Sequence, residues 1–179
     1  EHHKVIAILQ AARHLGWTIS VDINLRPKVA EDLSTYVQAV REVMALADWL
    51  KASDEDLETL GHQNVTLTHS AALVAQLRQQ AGPGRLSHVA LTFGAEGAHL
   101  DIAGQSASAR VPRVSVQDTV GAGDTFWGNA VADWALTPDA CGQRVSQTLQ
   151  WAMAAAALNC SREGCQPPTA TETQAFVGD

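Results

Sequence analysis

The chain has 179 residues, of which 46% are hydrophobic and 17% charged, with a formal net charge of −7. That size and apolar content suit one soluble globular domain with a well-filled core. The acidic balance argues against nucleic acid or an anionic membrane as partner. No apolar run reaches the length of a membrane span, and Glu1-His2-His3-Lys4 opens onto an amphipathic pattern rather than a leader, so a cytoplasmic protein is expected. Cys141, Cys160 and Cys165 form no C-x-x-C pair and read as reduced thiols. The histidines are scattered without metal-ligand spacing, so no transition-metal site is expected.

In chain order, Val5, Ile6, Leu9, Ala12 and Leu15 predict a helix over residues 3–15, ended near Gly16. Residues 17–23 read as a buried strand. Asp22, Asn24 and Arg26 follow at spacing two, which points them to one side if the chain stays extended beyond the strand's carboxyl end, where open parallel sheets bind ligands. Asn24 and Pro27 equally suit a plain turn. A helix over 32–47 carries Val37, Val40, Val43, Met44 and Ala47, and 48–52 is a short strand. Ser53-Asp54-Glu55-Asp56 has the shape of a capping box at the start of the next helix. His69-Ser70 opens a helix to about residue 80, broken by Gly82-Pro83-Gly84. Residues 88–93 are a strand, and Gly94-Ala95-Glu96-Gly97 turns into a hairpin over 98–103 and 107–111.

The stretch Val116 to Phe126 carries the chemistry. Val111, Val114 and Val116 suggest a strand; Gly121-Ala122-Gly123 forms a loop; Phe126, Ala130, Val131, Trp134 and Ala135 then recur at helical spacing. At such a corner the amides of Gly121, Ala122 and Gly123 lie at a helix N-terminus, where unpaired N–H groups and the dipole favour an anion. Asp124 puts a carboxylate beside them. An anion site next to a proton acceptor is what phosphoryl transfer to a hydroxyl requires, although an Asp opening a helix also serves as a cap. Thr137-Pro138-Asp139 reads as a turn, residues 141–158 as a helix ending over 159–164, and Thr169 onward as a short last helix. The small residues Ala154 to Ala157 permit either close helix packing or room for an adenine. Helices alternating with strands predict an α/β fold with a mostly parallel sheet.

Asp118-Thr119-Val120-Gly121-Ala122-Gly123-Asp124 closely resembles the D-T-x-G-A-G-D signature of the ribokinase-like (phosphofructokinase-B type) sugar kinases, without a departure. The resemblance implies a Rossmann-like, mostly parallel sheet flanked by helices. It implies Asp124 as the base that takes the proton of the sugar hydroxyl, and the 121–123 amides as the cradle of the transferring phosphoryl group. Asp22, Asn24 and Arg26 resemble the D-x-N-x-R segment of fructokinases and 2-keto-3-deoxygluconate kinases, which borders the space between sugar and phosphates; Val29-Ala30 depart from the Leu-Trp of relatives. Ser53 and Asp56 stand where the family has N-x-x-E, which organises Mg2+ through water; Asp56 is the expected metal-organising residue and Ser53 a cap. Lys51 fits the Lys-x-Ser of the fructokinase branch, Thr92, Gly94 and Gly97 match the nucleotide-cradling T-x-G-x-x-G, and Lys51 and Thr119 join them as the implied nucleotide-binding residues. Residues 155–168 resemble the C-terminal stretch of fructokinases, where the carbonyls of Asp118, Val120, Arg162 and Gly164 match positions that bind a monovalent cation such as K+.

The resemblance thus implies the C-terminal, catalytic part of an ATP- and Mg2+-dependent sugar kinase, spanning residues 1–179, with fructose as the first candidate substrate. 2-Keto-3-deoxygluconate or ribose is the alternative within the family, and a non-catalytic nucleotide-binding module the alternative outside it. The partners expected are a small sugar and ATP, with no nucleic acid and no membrane. Family members are about twice as long, and their N-terminal strands and lid have no counterpart here. The 179-residue chain alone is therefore expected to turn over poorly and to expose a sheet face or edge that invites a homodimer.

Overall fold

The computed structural model describes residues 1–82, 84–138 and 141–178, with the side chain of Cys141 outside the described set. Pro83 of the predicted helix break, Asp139 of the predicted turn and the Cys141 thiol therefore lie outside the described residues. The chain divides into two compact units, Glu1–Leu91 and Thr92–Asp179.

The first unit alternates α1 (His2–His14), β1 (Ser20–Asp22), α2 (Leu33–Met44), β2 (Trp49–Ser53), α3 (Asp54–Thr59) and α4 (Ser70–Ala81) before β3 (His88–Thr92), whose last residue opens the second unit. Its strands lie in the order β1-β2-β3. β1 pairs in parallel with β2, placing Ser20 opposite Trp49, Val21 opposite Leu50 and Asp22 opposite Lys51. Leu50, Ala52, Leu57, Leu73, Leu77, Val89 and Leu91, from β2, β3, α3 and α4, are buried to 1% exposure or less and form the core of this unit, whereas β1 is only partly buried. Asp32 caps α2 by accepting the amides of Ser34 and Thr35. α1 buries no residue: of its predicted face Val5 is 45% exposed, and Leu15, just past the helix, is 72% exposed.

The second unit begins with the antiparallel hairpin β4 (Ala98–Ile102) and β5 (Gln105–Ala109), followed by α5 (Ala122–Leu136), α6 (Val145–Cys160) and α7 (Ala170–Gly178). α6 packs against α5, α7 and both hairpin strands. Its alanines Ala152, Ala154, Ala155 and Ala157 are 0–2% exposed, so their small size serves close packing. Polar ties cross the α5–α6 contact: Arg144 pairs with Asp133 at 2.9 Å, Thr148 Oγ1 donates to Asp133 Oδ2 at 2.5 Å, and Trp151 Nε1 donates to Asn129 Oδ1 at 3.0 Å.

The strand expected over Val111, Val114 and Val116 does not form; these residues run as irregular chain into the glycine loop. Pro112 removes a ladder donor, and Val111 and Val116 are exposed rather than buried. The segment is anchored instead by the amides of Gln117 and Asp118, which both donate to the Cys160 carbonyl at the end of α6, at 2.8 and 3.2 Å.

Candidate active site

Gly121 is the N-cap of α5 in the left-handed conformation, φ 75°, and no side chain caps the helix. Glycine is required there on two counts. The left-handed region is costly for other residues, and a Cβ at this position would fall on the Cys165 sulfur. Because no side chain closes the turn, its backbone donors stay available. The Ala122 amide donates to the Thr119 carbonyl at 3.2 Å, while the amides of Gly121, Gly123 and Asp124 have no acceptor among the described residues. The open donors are therefore Gly121, Gly123 and Asp124, one residue shifted in part from the 121–123 set that the sequence suggests. They lie at the positive end of a 15-residue helix.

Asp124 stands in the first turn of α5, exposed, and its carboxylate accepts no hydrogen bond and makes no ion pair among the described residues. It is not the helix cap. The turn thus combines open N–H donors with a carboxylate committed to nothing else.

Asp118 holds the loop in shape. Its Oδ1 accepts the Val120 amide at 3.0 Å, and Oδ2 accepts the Gly164 amide at 3.1 Å. The Val120 amide, and to a lesser degree those of Gly164 and Thr119, holds this carboxyl below the usual carboxylate range. Asn159, at 0% exposure near the end of α6, completes the tie: Nδ2 donates to the Val120 carbonyl at 2.8 Å and Oδ1 accepts the Gln166 amide at 2.9 Å. The loops 118–121 and 164–166 are thereby fastened to one helix end. Sequence reasoning missed Asn159. Its signal was there, since it falls on the buried α6 stripe with Ala152 and Ala155, where an amide needs partners.

Of the expected cation-binding carbonyls, those of Asp118, Arg162 and Gly164 accept no hydrogen bond among the described residues, while that of Val120 is engaged by Asn159. The Arg162 guanidinium pairs with Glu172 at 2.6 Å. Gly94 and Gly97 form a tight turn between β3 and β4, with φ 48° and 138°, and a Cβ on Gly97 would fall on the Ala109 carbonyl. Thr92 ends β3, and Thr119 keeps its carbonyl on the Ala122 amide.

The remaining predicted residues belong to the first unit, and here the geometry departs from simple strand alternation. Asn24 has φ 45°, so the chain leaves the extended conformation after Asp22, and spacing two no longer sets Asp22, Asn24 and Arg26 on one side. Asp22 instead faces its register partner: Lys51 Nζ lies 3.0 Å from Oδ1 and 3.1 Å from Oδ2. Lys51 is 5% exposed and spends its charge on this pair rather than presenting it at the surface. The Arg26 guanidinium donates to the carbonyls of Leu25 and Asn24 at 2.9 and 3.3 Å. Asp56, 3% exposed, accepts the Leu25 amide on Oδ1 at 2.7 Å and the Ser53 amide on Oδ2 at 2.8 Å, while Ser53 Oγ accepts the Asp56 amide. This is a complete capping box, extended to a second segment. Both oxygens of the expected metal organiser are thus held by backbone amides.

Among the described residues no three His, Cys, Asp or Glu side chains gather to hold a metal, and no helix is long and apolar enough to cross a membrane.

The chain is 34% identical over 178 residues to a fructokinase of Vibrio alginolyticus, covering 95% of this chain and 54% of that protein. Its fold matches the fructokinase of Xylella fastidiosa with bound ATP at a TM-score of 0.80 and 24% identity, covering 99% of this chain and 56% of that one. A double mutant of the Vibrio cholerae O395 fructokinase, in a form with fructose, ADP and potassium ion, matches at a TM-score of 0.80 and 25% identity, covering 97% of this chain and 54% of that one. The ribokinase-like α/β fold is therefore shared, and the chain spans about half the length of these relatives. The profile of the pfkB family carbohydrate kinases matches residues 2–172: the chain belongs to that family.

Proposed function

We propose that this chain is the nucleotide-binding, catalytic part of an ATP-dependent sugar kinase, with fructose as the first candidate substrate. The observation that carries the reading is the first turn of α5: the open amides of Gly121, Gly123 and Asp124 beside a carboxylate with no structural partner. The resemblance to fructokinases supports the choice of sugar.

In this reading Asp124 accepts the proton of a primary sugar hydroxyl as its oxygen attacks the γ-phosphorus of ATP. The new oxygen–phosphorus bond forms in line with the breaking bond to the β-phosphate oxygen, and ADP leaves with that electron pair. The amides of the turn donate to the equatorial oxygens of the transferring group, where charge is spread in the transition state. Gly94, exposed in the turn, leaves backbone accessible for the nucleotide, while Gly97, buried against the Ala109 carbonyl, shapes that turn. Magnesium fits as an ion that arrives with the phosphates, keeping much of its own water, because the described side chains form no cage for it. A monovalent cation fits the unengaged carbonyls of Asp118, Arg162 and Gly164, and would add positive charge beside the phosphates of an acidic protein.

The test is an ADP-release assay on the full-length protein with fructose, 2-keto-3-deoxygluconate and ribose, beside Asp124→Asn. Turnover on one of these sugars, reduced about 10²–10⁴-fold by the substitution, is expected of a lost general base. Turnover untouched by the substitution removes Asp124 from the chemistry and the proposal with it.

A further inference from the structure

The Val120–Gly121 peptide is one rigid unit, and its two ends have opposite environments. Peptide planarity sets C=O and N–H of a trans peptide pointing in opposite directions. The Val120 carbonyl accepts Asn159 Nδ2 at 2.8 Å, and Asn159 is fully buried. The carbonyl is thus held toward the end of α6, and the Gly121 N–H is directed away from it, open to an anion.

The peptide could turn over. Gly121 has no side chain to resist a change of φ, and Val120 is 58% exposed, so neighbouring packing does not hold it. After a flip the carbonyl would face the anion and the donor would be lost. The forces opposing this are local and few: the Val120 amide on Asp118 fixes the preceding peptide, not this one. Asn159 is itself held from its other end by the Gln166 amide at 2.9 Å, so its carboxamide cannot rotate without breaking both bonds.

We infer that Asn159 is a positioning residue for phosphoryl transfer: it locks the Val120–Gly121 peptide so that the Gly121 N–H is aimed at the transferring phosphoryl group. This rests on the kinase reading above for its catalytic consequence, but the aim of the amide is measurable without it. Asn159 touches neither substrate nor reacting atoms and acts through Val120.

The experiment compares full-length wild type with Asn159→Leu, which keeps the number and branching of side-chain heavy atoms but cannot bond to Val120. Asn159→Ala replaces it should the leucine variant fail to melt cooperatively. Two readouts are taken on folded protein. The first is the Gly121 amide resonance in 15N NMR during titration with ADP. In wild type it is expected to shift with saturation, and in the variant the shift is expected to be lost while that of Gly123 persists. The second is steady-state kinetics with ATP and fructose. Loss of one preorganised donor is expected to lower kcat about 10²–10³-fold with KM for ATP changed by less than about threefold. A Gly121 resonance that responds to ADP equally in both proteins overturns the inference, as does a folded variant with wild-type kcat. If wild type shows the Gly121 response yet phosphorylates no sugar, the kinase reading fails and the lock stands. If wild type turns over but its Gly121 amide ignores ADP, the lock fails and the kinase reading stands.

Discussion

At the scale of single residues, the glycines of this chain separate by function. Gly121 combines a left-handed backbone with a Cβ position occupied by the Cys165 sulfur, whereas Gly128 lies within α5 with open space around it. Gly121→Ala is expected to cost about 1–3 kcal/mol through backbone strain and clash. Gly128→Ala is expected to add about 0.5–1 kcal/mol through helix propensity. Urea denaturation of both variants checks the pair, and destabilisation of equal size in the two would mean that the Gly121 turn is not held in the form described. Burial, assisted by the nearby Asp118 charge, pushes the Cys160 thiol up, which favours its protonated form.

At the scale of elements, the short helix α3 shows how one side chain can serve two segments. Its capping box is complete, and Asp56 also takes the Leu25 amide, joining the helix start to the chain that follows β1. Ser53→Ala removes one cap bond and is expected to cost about 1 kcal/mol. Asp56→Ala also leaves the buried Leu25 and Ser53 amides without acceptors, and about 2–4 kcal/mol is expected. Thermal melts of the two variants settle the ranking; equal losses would deny the tie to Leu25. The cross-strand pair of Asp22 with Lys51 belongs to this scale too, since the parallel register brings the two residues opposite each other.

At the scale of the whole molecule, stability should depend on pH in a direction set by two groups. Burial lowers the His99 pKa against the raising effect of Asp101, so the folded state resists protonating this imidazole. The unfolded chain then binds more protons as pH falls below the ordinary histidine value of about 6.5, and stability declines toward the lowered folded value. Asp118 acts at more acid pH. Its folded pKa is lowered, so its contribution is complete above the ordinary carboxylate value and disappears only as pH falls through the lowered one. Urea midpoints are expected to fall between pH 7.5 and 5.5, and His99→Gln should flatten that fall. An unchanged slope in the variant would exclude His99 as its source.

The sequence by itself determined the elements and the glycine turn that opens α5. Hydrophobic periodicity located the helices and most strands to within a few residues, because burial of one face dictates residue type at fixed spacing. The glycine turn opening α5 was legible because a left-handed position such as Gly121 favours a residue without a Cβ. What only the tertiary structure decided was the partnership of polar groups distant in sequence. Lys51 is spent on Asp22, Asp56 is spent on Leu25, and Asn159 reaches back to Val120. No local pattern encodes such pairings. A buried polar atom must find a partner, but the fold alone determines which one comes within reach.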